Sequence, residues 1–177
     1  MKLIKRTFTS STLLCLLAVS VFAQEAAPKT AAPQSEAKLA LEKLKSLAGS
    51  WQGEIMRIPI TFSIRAASSG TAVVHEGNTE GGGPPSHEIT MFYIDGDRLL
   101  STHYCDAGNR SNLDGKMSAD GKTIKFSFIE VIGSKRGGYL KDMALTIVDA
   151  KTHIIEVNFV MPDGAAIPLR GEFKRTP

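Results

Sequence analysis

The chain has 177 residues, with 21 Lys or Arg against 18 Asp or Glu. Three of the basic residues and no acidic one fall in the first 23 positions, which leaves 18 of each sign in the remainder. That balance removes the electrostatic basis for a nucleic-acid-binding protein or one held on an anionic membrane surface, while the length suffices for one domain with its own core.

Lys2, Lys5 and Arg6 precede an apolar run from Leu13 to Val19 that is too short to span a bilayer. Val21-Phe22-Ala23 follows with small residues at its first and third positions. Residues 1–23 therefore read as an export signal cleaved after Ala23. The mature chain is expected in the periplasm or secreted, without a transmembrane anchor. A lipoprotein reading of Cys15 is the alternative, but Leu14 stands where a small residue is required. Residues 24–35, rich in Ala, Pro and polar side chains, read as a disordered linker. The folded domain then occupies residues 36–177.

Ser35 is placed to cap a helix from about Glu36 to Leu47. Leu39, Leu41, Leu44 and Leu47 are expected to form its apolar face, with Lys38, Glu42, Lys43 and Lys45 on the wet side, and Gly49 to stop it. From Trp51 the pattern changes to short β runs near 51–57, 59–66, 71–77, 87–94, 98–105, 112–118, 123–131, 141–148, 153–160 and 166–174. Turn signals separate most of them, the strongest being Asp95-Gly96 and Asp120-Gly121, where tight hairpins tolerate positive φ. About ten strands without intervening helices exclude a parallel α/β sheet. Between a sandwich and a barrel, closure into an up-and-down antiparallel barrel is favoured because it leaves no exposed edge. The expected fold class is all-β, with one N-terminal helix.

Leu44-Lys45-Ser46-Leu47-Ala48-Gly49-Ser50-Trp51-Gln52-Gly53, a short helix running into Gly-x-Trp, resembles the entry to lipocalins, fatty-acid-binding proteins and nitrobindin-like haem barrels. The segments Glu88–Asp97 and Thr102–Arg110 look like those of secreted bacterial lipocalin-like domains, so the resemblance covers nearly the whole mature chain. It implies a barrel plugged at one end by Trp51, stacked under a cation from the last strand: Arg170, Lys174 or Arg175. It implies no chemistry of its own. Nitrobindin-like barrels hold haem through a histidine late in the chain, yet residues 154–177 contain none and His153 stands at a strand start.

Cys15 leaves with the signal, so Cys105 is alone and staples nothing. The densest cluster of reactive side chains lies on the fourth and fifth strands. By alternation Leu99, Ser101, His103 and Cys105 share one face of the fifth strand, and Leu100, Thr102 and Tyr104 share the other. The hairpin at Asp95-Gly96 brings Glu88 or His87 near His103 and Cys105. Three chemistries use such residue types: a metal site of His103 and Cys105 with His75 or His87, a haem ligand from His103 or His75, and a Cys105–His103–Glu88 nucleophile. No nucleophile elbow or oxyanion loop accompanies the last, and Gly81–Pro85 lacks the helix that a phosphate cradle needs. The reading carried forward is a non-enzymatic binding protein. It would hold a small hydrophobic or amphipathic molecule in the barrel, with His103, Tyr104, Glu88, Asn109 and Arg110 as candidate ligand-binding residues. A haem- or metal-binding redox protein using His103, with or without Cys105, is the alternative, and a purely structural envelope protein the third.

Overall fold

The computed structural model describes residues 34–79 and 86–177; the segments read from sequence as an export signal (1–23) and, but for its last two residues, as a linker (24–35) lie outside the described residues, as does Gly81–Pro85. One helix, α1 (Glu36–Ser46), precedes ten strands: β1 (Gly49–Ile55), β2 (Ile58–Ala67), β3 (Ala72–Thr79), β4 (Ser86–Asp95), β5 (Arg98–Cys105), β6 (Asn109–Met117), β7 (Thr123–Gly133), β8 (Tyr139–Asp149), β9 (Thr152–Val160) and β10 (Ala166–Arg175). Each strand pairs antiparallel with its sequence neighbours, and β1 pairs with β10, so the sheet closes into a barrel. Among the described residues no helix is long and apolar enough to cross a membrane.

The hairpins divide the barrel into two ends. At one lie the β2–β3, β4–β5, β6–β7 and β8–β9 turns, two of them made at Asp95-Gly96 and Asp120-Gly121 with Gly96 at φ 59° and Gly121 at φ 66°. Helix α1 covers this end. Ser35 caps it, its hydroxyl accepting from the Lys38 amide. Its buried stripe is Ala37, Ala40, Leu41 and Leu44 with Leu47 beyond. Leu39, expected on that stripe, is exposed instead: at 100° per residue it falls away from the line through positions 37, 40, 41 and 44. Glu36 ties the helix start to the barrel by accepting from the Met117 amide at 3.1 Å.

Trp51 plugs this end. Its indole N–H donates to the Leu47 carbonyl at 2.9 Å, and its ring meets His153 edge-on at 4.1 Å between centroids. The cation over it is Arg175, 4.4 Å from the ring centroid. Arg170, also considered for that role, is exposed and lies 3.6 Å from Glu156. Four positions farther from the strand end than Lys174, it points along the outer wall. Arg175 also donates to the carbonyls of Ser46, Ala48 and Ala150, so one guanidinium satisfies the helix C-terminus and clamps it to the β8–β9 turn. Gly49 has φ 141°, and a Cβ there would run into the Arg175 guanidinium.

The other end is the mouth. Its β1–β2 turn is Met56-Arg57, with φ 53° and 67°, a two-residue turn with both central residues left-handed although neither is glycine. At the β5–β6 turn the strand resumes at Asn109 rather than near 112, because Asp106-Ala107-Gly108 alone makes the reversal, with Gly108 at φ 79°. The wall also splits here. β7 and β8 pair only from Thr123↔Thr146 to Phe126↔Met143, and their mouth-side halves diverge. Phe128 and Tyr139, 5.6 Å apart between ring centroids, stand across the split, with the Lys141 ammonium 3.9 Å over the Phe128 ring.

Candidate functional site

Alternation along each strand decides what faces inward. On β5 the inward set is Leu99, Ser101, His103 and Cys105, all buried. The outer surface conceals Thr102 as well, since its hydroxyl donates to Asn112 at 2.9 Å and lies 3.2 Å from the Tyr93 hydroxyl. Neighbouring strands follow: His75 and Gly77 on β3 stand beside Thr90 and Glu88 on β4, and Thr90 stands beside His103. The inner surface is therefore two-sided. Strands β3 to β5 contribute His75, Thr79, Ser86, Glu88, Thr90 and His103, while the opposite wall is built from apolar side chains such as Phe62, Leu145, Ile155, Val157, Phe159 and Phe173.

Between these walls lies a cavity of about 380 Å³ that reaches the mouth at Met56 and Thr79, a size within the range of small-molecule sites. A larger groove of about 750 Å³ lies at the β7–β8 split and mixes Lys125, Lys141 and Arg170 with Phe126 and Phe128. Its charged outer lining marks it as surface. Met143, Val157 and Leu169 line both spaces, so groove and cavity adjoin.

The polar wall is desolvated. Burial, with the nearby His153 and His103, lowers the His75 pKa from 6.5 to about 3, and burial lowers that of His103 to about 4, so both rings are neutral near pH 7. The His103 Nδ1 lies 2.9 Å from the Thr90 hydroxyl. Its Nε2 lies 3.7 Å from Glu88 Oε2, beyond hydrogen-bond reach. The Cys105 thiol donates to Glu88 Oε1 at 3.3 Å and approaches Asp106 Oδ1 at 3.6 Å. Burial raises the Glu88 pKa and pushes the Cys105 thiol up to about 12. A thiol held that far from ionisation, and bonded to a carboxyl rather than to the imidazole, is a poor nucleophile. The His75 Nε2 is buried without a hydrogen-bond partner, an unpaid cost for a group on the cavity wall.

Of the five residues proposed from sequence, His103 and Glu88 line the cavity. Tyr104 does not. It is 49 % exposed on the outer face, one step out of phase with His103. Arg110, its cross-strand neighbour, is likewise exposed. Asn109 faces inward but acts on the chain itself: its amide donates at 2.7 Å to both the Ser134 and Gly138 carbonyls, holding the two ends of the β7–β8 loop. His87 lies outside, 3.0 Å from Glu76. Sequence reasoning left His75 as an optional ligand, although its parity within Val73-Val74-His75-Glu76-Gly77 was a usable signal.

Haem ligation through the late histidine does not fit these residues. His153 is fully buried beside the Trp51 plug, enclosed by Trp51, Phe62 and Phe173, and does not line the cavity.

Among solved structures, the chain is similar to the crystal structure of Rv2717c from M. tuberculosis, with a TM-score of 0.62 and 15% identity over 78% of this chain and 98% of that one. A protein of unknown function from the DUF3598 family of Nostoc punctiforme aligns over 81% of this chain and 100% of its own at 7% identity, but with a TM-score of 0.22. The first likeness extends to the fold alone, and the second carries no argument. No family model and no curated protein matches the sequence.

Proposed function

We propose that the protein is an exported carrier or sensor of a small amphipathic molecule, held inside a lipocalin-like barrel. The observation that carries this reading is the two-sided cavity: an apolar wall from β1, β2 and β8 to β10 faces a wall bearing His75, Glu88, Thr90 and His103. An apolar body buried there gains about 25 cal/mol per Å² removed from water. One polar head can meet neutral imidazoles, hydroxyls and the Glu88 carboxyl, with no cation among the described lining residues, which favours a neutral hydrogen-bonding group over a carboxylate or phosphate. Access from the mouth is supported by the exposed Met56, and access through the wall by the split between β7 and β8. Export rests on the signal pattern at residues 1–23.

The test is a fluorescence titration with N-phenyl-1-naphthylamine, a neutral apolar probe carrying one N–H donor. The reading expects saturable one-to-one binding with a blue-shifted emission, competed by unlabelled amphipathic molecules. A folded protein that leaves the probe in water at all concentrations would sink it.

A further inference from the structure

At the mouth end of the polar wall, three side chains of different donor type converge. They come from adjacent strands, Glu88 from β4 and His103 and Cys105 from β5, so the hairpin itself sets their spacing. One ligand atom from each, a carboxylate oxygen, an imidazole nitrogen and a sulfur, lies within 4.8 Å of the others. We propose that Glu88, His103 and Cys105 form a three-ligand site for a divalent ion of the zinc class, with its fourth coordination position open to the barrel cavity.

The geometry suits such an ion. At bond lengths near 2.0–2.1 Å to nitrogen and oxygen and about 2.3 Å to sulfur, tetrahedral ligand atoms stand roughly 3.3–3.6 Å apart. Sulfur stands 3.3 Å from one Glu88 oxygen and the His103 Nε2 3.7 Å from the other, and one donor atom from each residue lies within 4.8 Å of the rest, so the set closes on an ion with shifts of about 1 Å. The His103 ring is already oriented. The Nδ1 contact with the Thr90 hydroxyl fits the tautomer that the site requires, in which Nδ1–H donates to that hydroxyl and the Nε2 lone pair is left for the ion, as a partner behind a histidine fixes its tautomer for a metal. The 3.7 Å gap between Nε2 and Glu88 is too long for a hydrogen bond, so the nitrogen has no partner there that the ion must displace. Ligand type selects the ion: a thiolate and an imidazole favour zinc, cobalt or copper over magnesium or calcium, which take oxygen.

Coordination exchanges the thiol proton for the ion. The S–H bond breaks, its proton leaves to solvent, and a sulfur–metal bond forms without change of oxidation state. Glu88 and His103 line the cavity, and Cys105 lies behind them on the same inward face, so the open position points into the lumen. Three protein ligands and one open position is the pattern of zinc sites that hold a water or a ligand atom. The ion's ligands are these three residues alone, so the site stands or falls apart from what fills the rest of the cavity.

The experiment is a Co²⁺ titration of the purified, metal-stripped protein followed by absorbance. The expected result is one Co²⁺ per chain, visible bands of tetrahedral intensity, and a near-ultraviolet sulfur-to-cobalt charge-transfer band, all displaced by Zn²⁺. Cys105→Ser should remove the charge-transfer band while the circular dichroism of the barrel stays unchanged, and Glu88→Gln should weaken the visible bands. Thr90→Val, which touches no ligand atom, should lower Co²⁺ affinity about 10–100-fold through loss of ring orientation. No stoichiometric binding, or a near-ultraviolet band that persists in Cys105→Ser, would overturn the site. N-phenyl-1-naphthylamine is titrated into the same metal-free samples, so a failed metal site with normal probe binding is separated from failure of the carrier reading.

Discussion

Gly77→Leu tests the cavity with little risk to the fold. Gly77 sits mid-strand on β3 between Phe62 and Glu88, and its missing side chain faces the lumen. A Cβ built there meets Phe62 Cβ at 3.6 Å, His75 Cε1 at 3.8 Å and the Thr61 carbonyl at 3.9 Å, all ordinary contact distances. The rest of a leucine would extend into the 380 Å³ space. Burying it stabilises by about 1.5–3 kcal/mol, and residual misfit costs about 1–3 kcal/mol, so stability should stay within about 1–2 kcal/mol of the parent. The occupied lumen should meanwhile lose at least about 1.4 kcal/mol of probe affinity, a tenfold rise in Kd. Urea unfolding followed through Trp51, with an N-phenyl-1-naphthylamine titration on the same preparation, reads both quantities. An unchanged Kd in a stably folded Gly77→Leu protein would refute the placement of the ligand.

Arg175→Ala removes the cation over Trp51 and three hydrogen bonds to carbonyls, and should cost about 2–3 kcal/mol; a red-shifted Trp51 emission would show the plug exposed, and parental stability would contradict the clamp. Arg57→Gly relieves a left-handed residue in the β1–β2 turn and should raise stability by about 1 kcal/mol, measured as a higher urea midpoint; a lower midpoint would mean the arginine side chain matters more than its backbone. Acid should destabilise the barrel. His75 and His153 are held neutral by burial, lowered from 6.5 to about 3 and about 4, so between those values the unfolded chain binds more protons. Their contribution is complete above about pH 6.5 and is lost as pH falls, on the order of 2 kcal/mol each by about pH 5. Glu88, raised by burial, opposes this as its proton is regained. A urea midpoint that does not fall between about pH 7 and pH 5 would contradict neutral burial of the two rings.

The barrel was legible because alternation survives in most strands: Ile124-Lys125-Phe126-Ser127-Phe128 and Ile155-Glu156-Val157-Asn158-Phe159 show one dry and one wet side, and Asp-Gly turns mark the hairpins. The β1–β2 turn was hidden because Met56 and Arg57 carry no turn chemistry; their left-handed backbone is imposed by the pairing of Ile55 with Ile58. Parity joined His103 to Cys105 but left the inward side of β5 open, because the outer face also buries Thr102 under Tyr93 and Asn112. Asn109 and Arg110 read as loop residues near the mouth, whereas a three-residue turn returns the chain early and makes them strand. The divergence of β7 from β8 coincides with broken alternation in both strands: β7 exposes Ile129 and Ile132 past a register shift against β6, and in β8 two residues separate the buried Leu140 and Met143, but no turn residue within either strand marks the break.

Native mass spectrometry of the protein as isolated from an exporting host tests the carrier reading most directly. The account predicts a folded monomer mass plus one organic molecule, released on denaturation and small enough for the 380 Å³ cavity. A folded protein that is empty as isolated, and that also leaves N-phenyl-1-naphthylamine unbound, would contradict it.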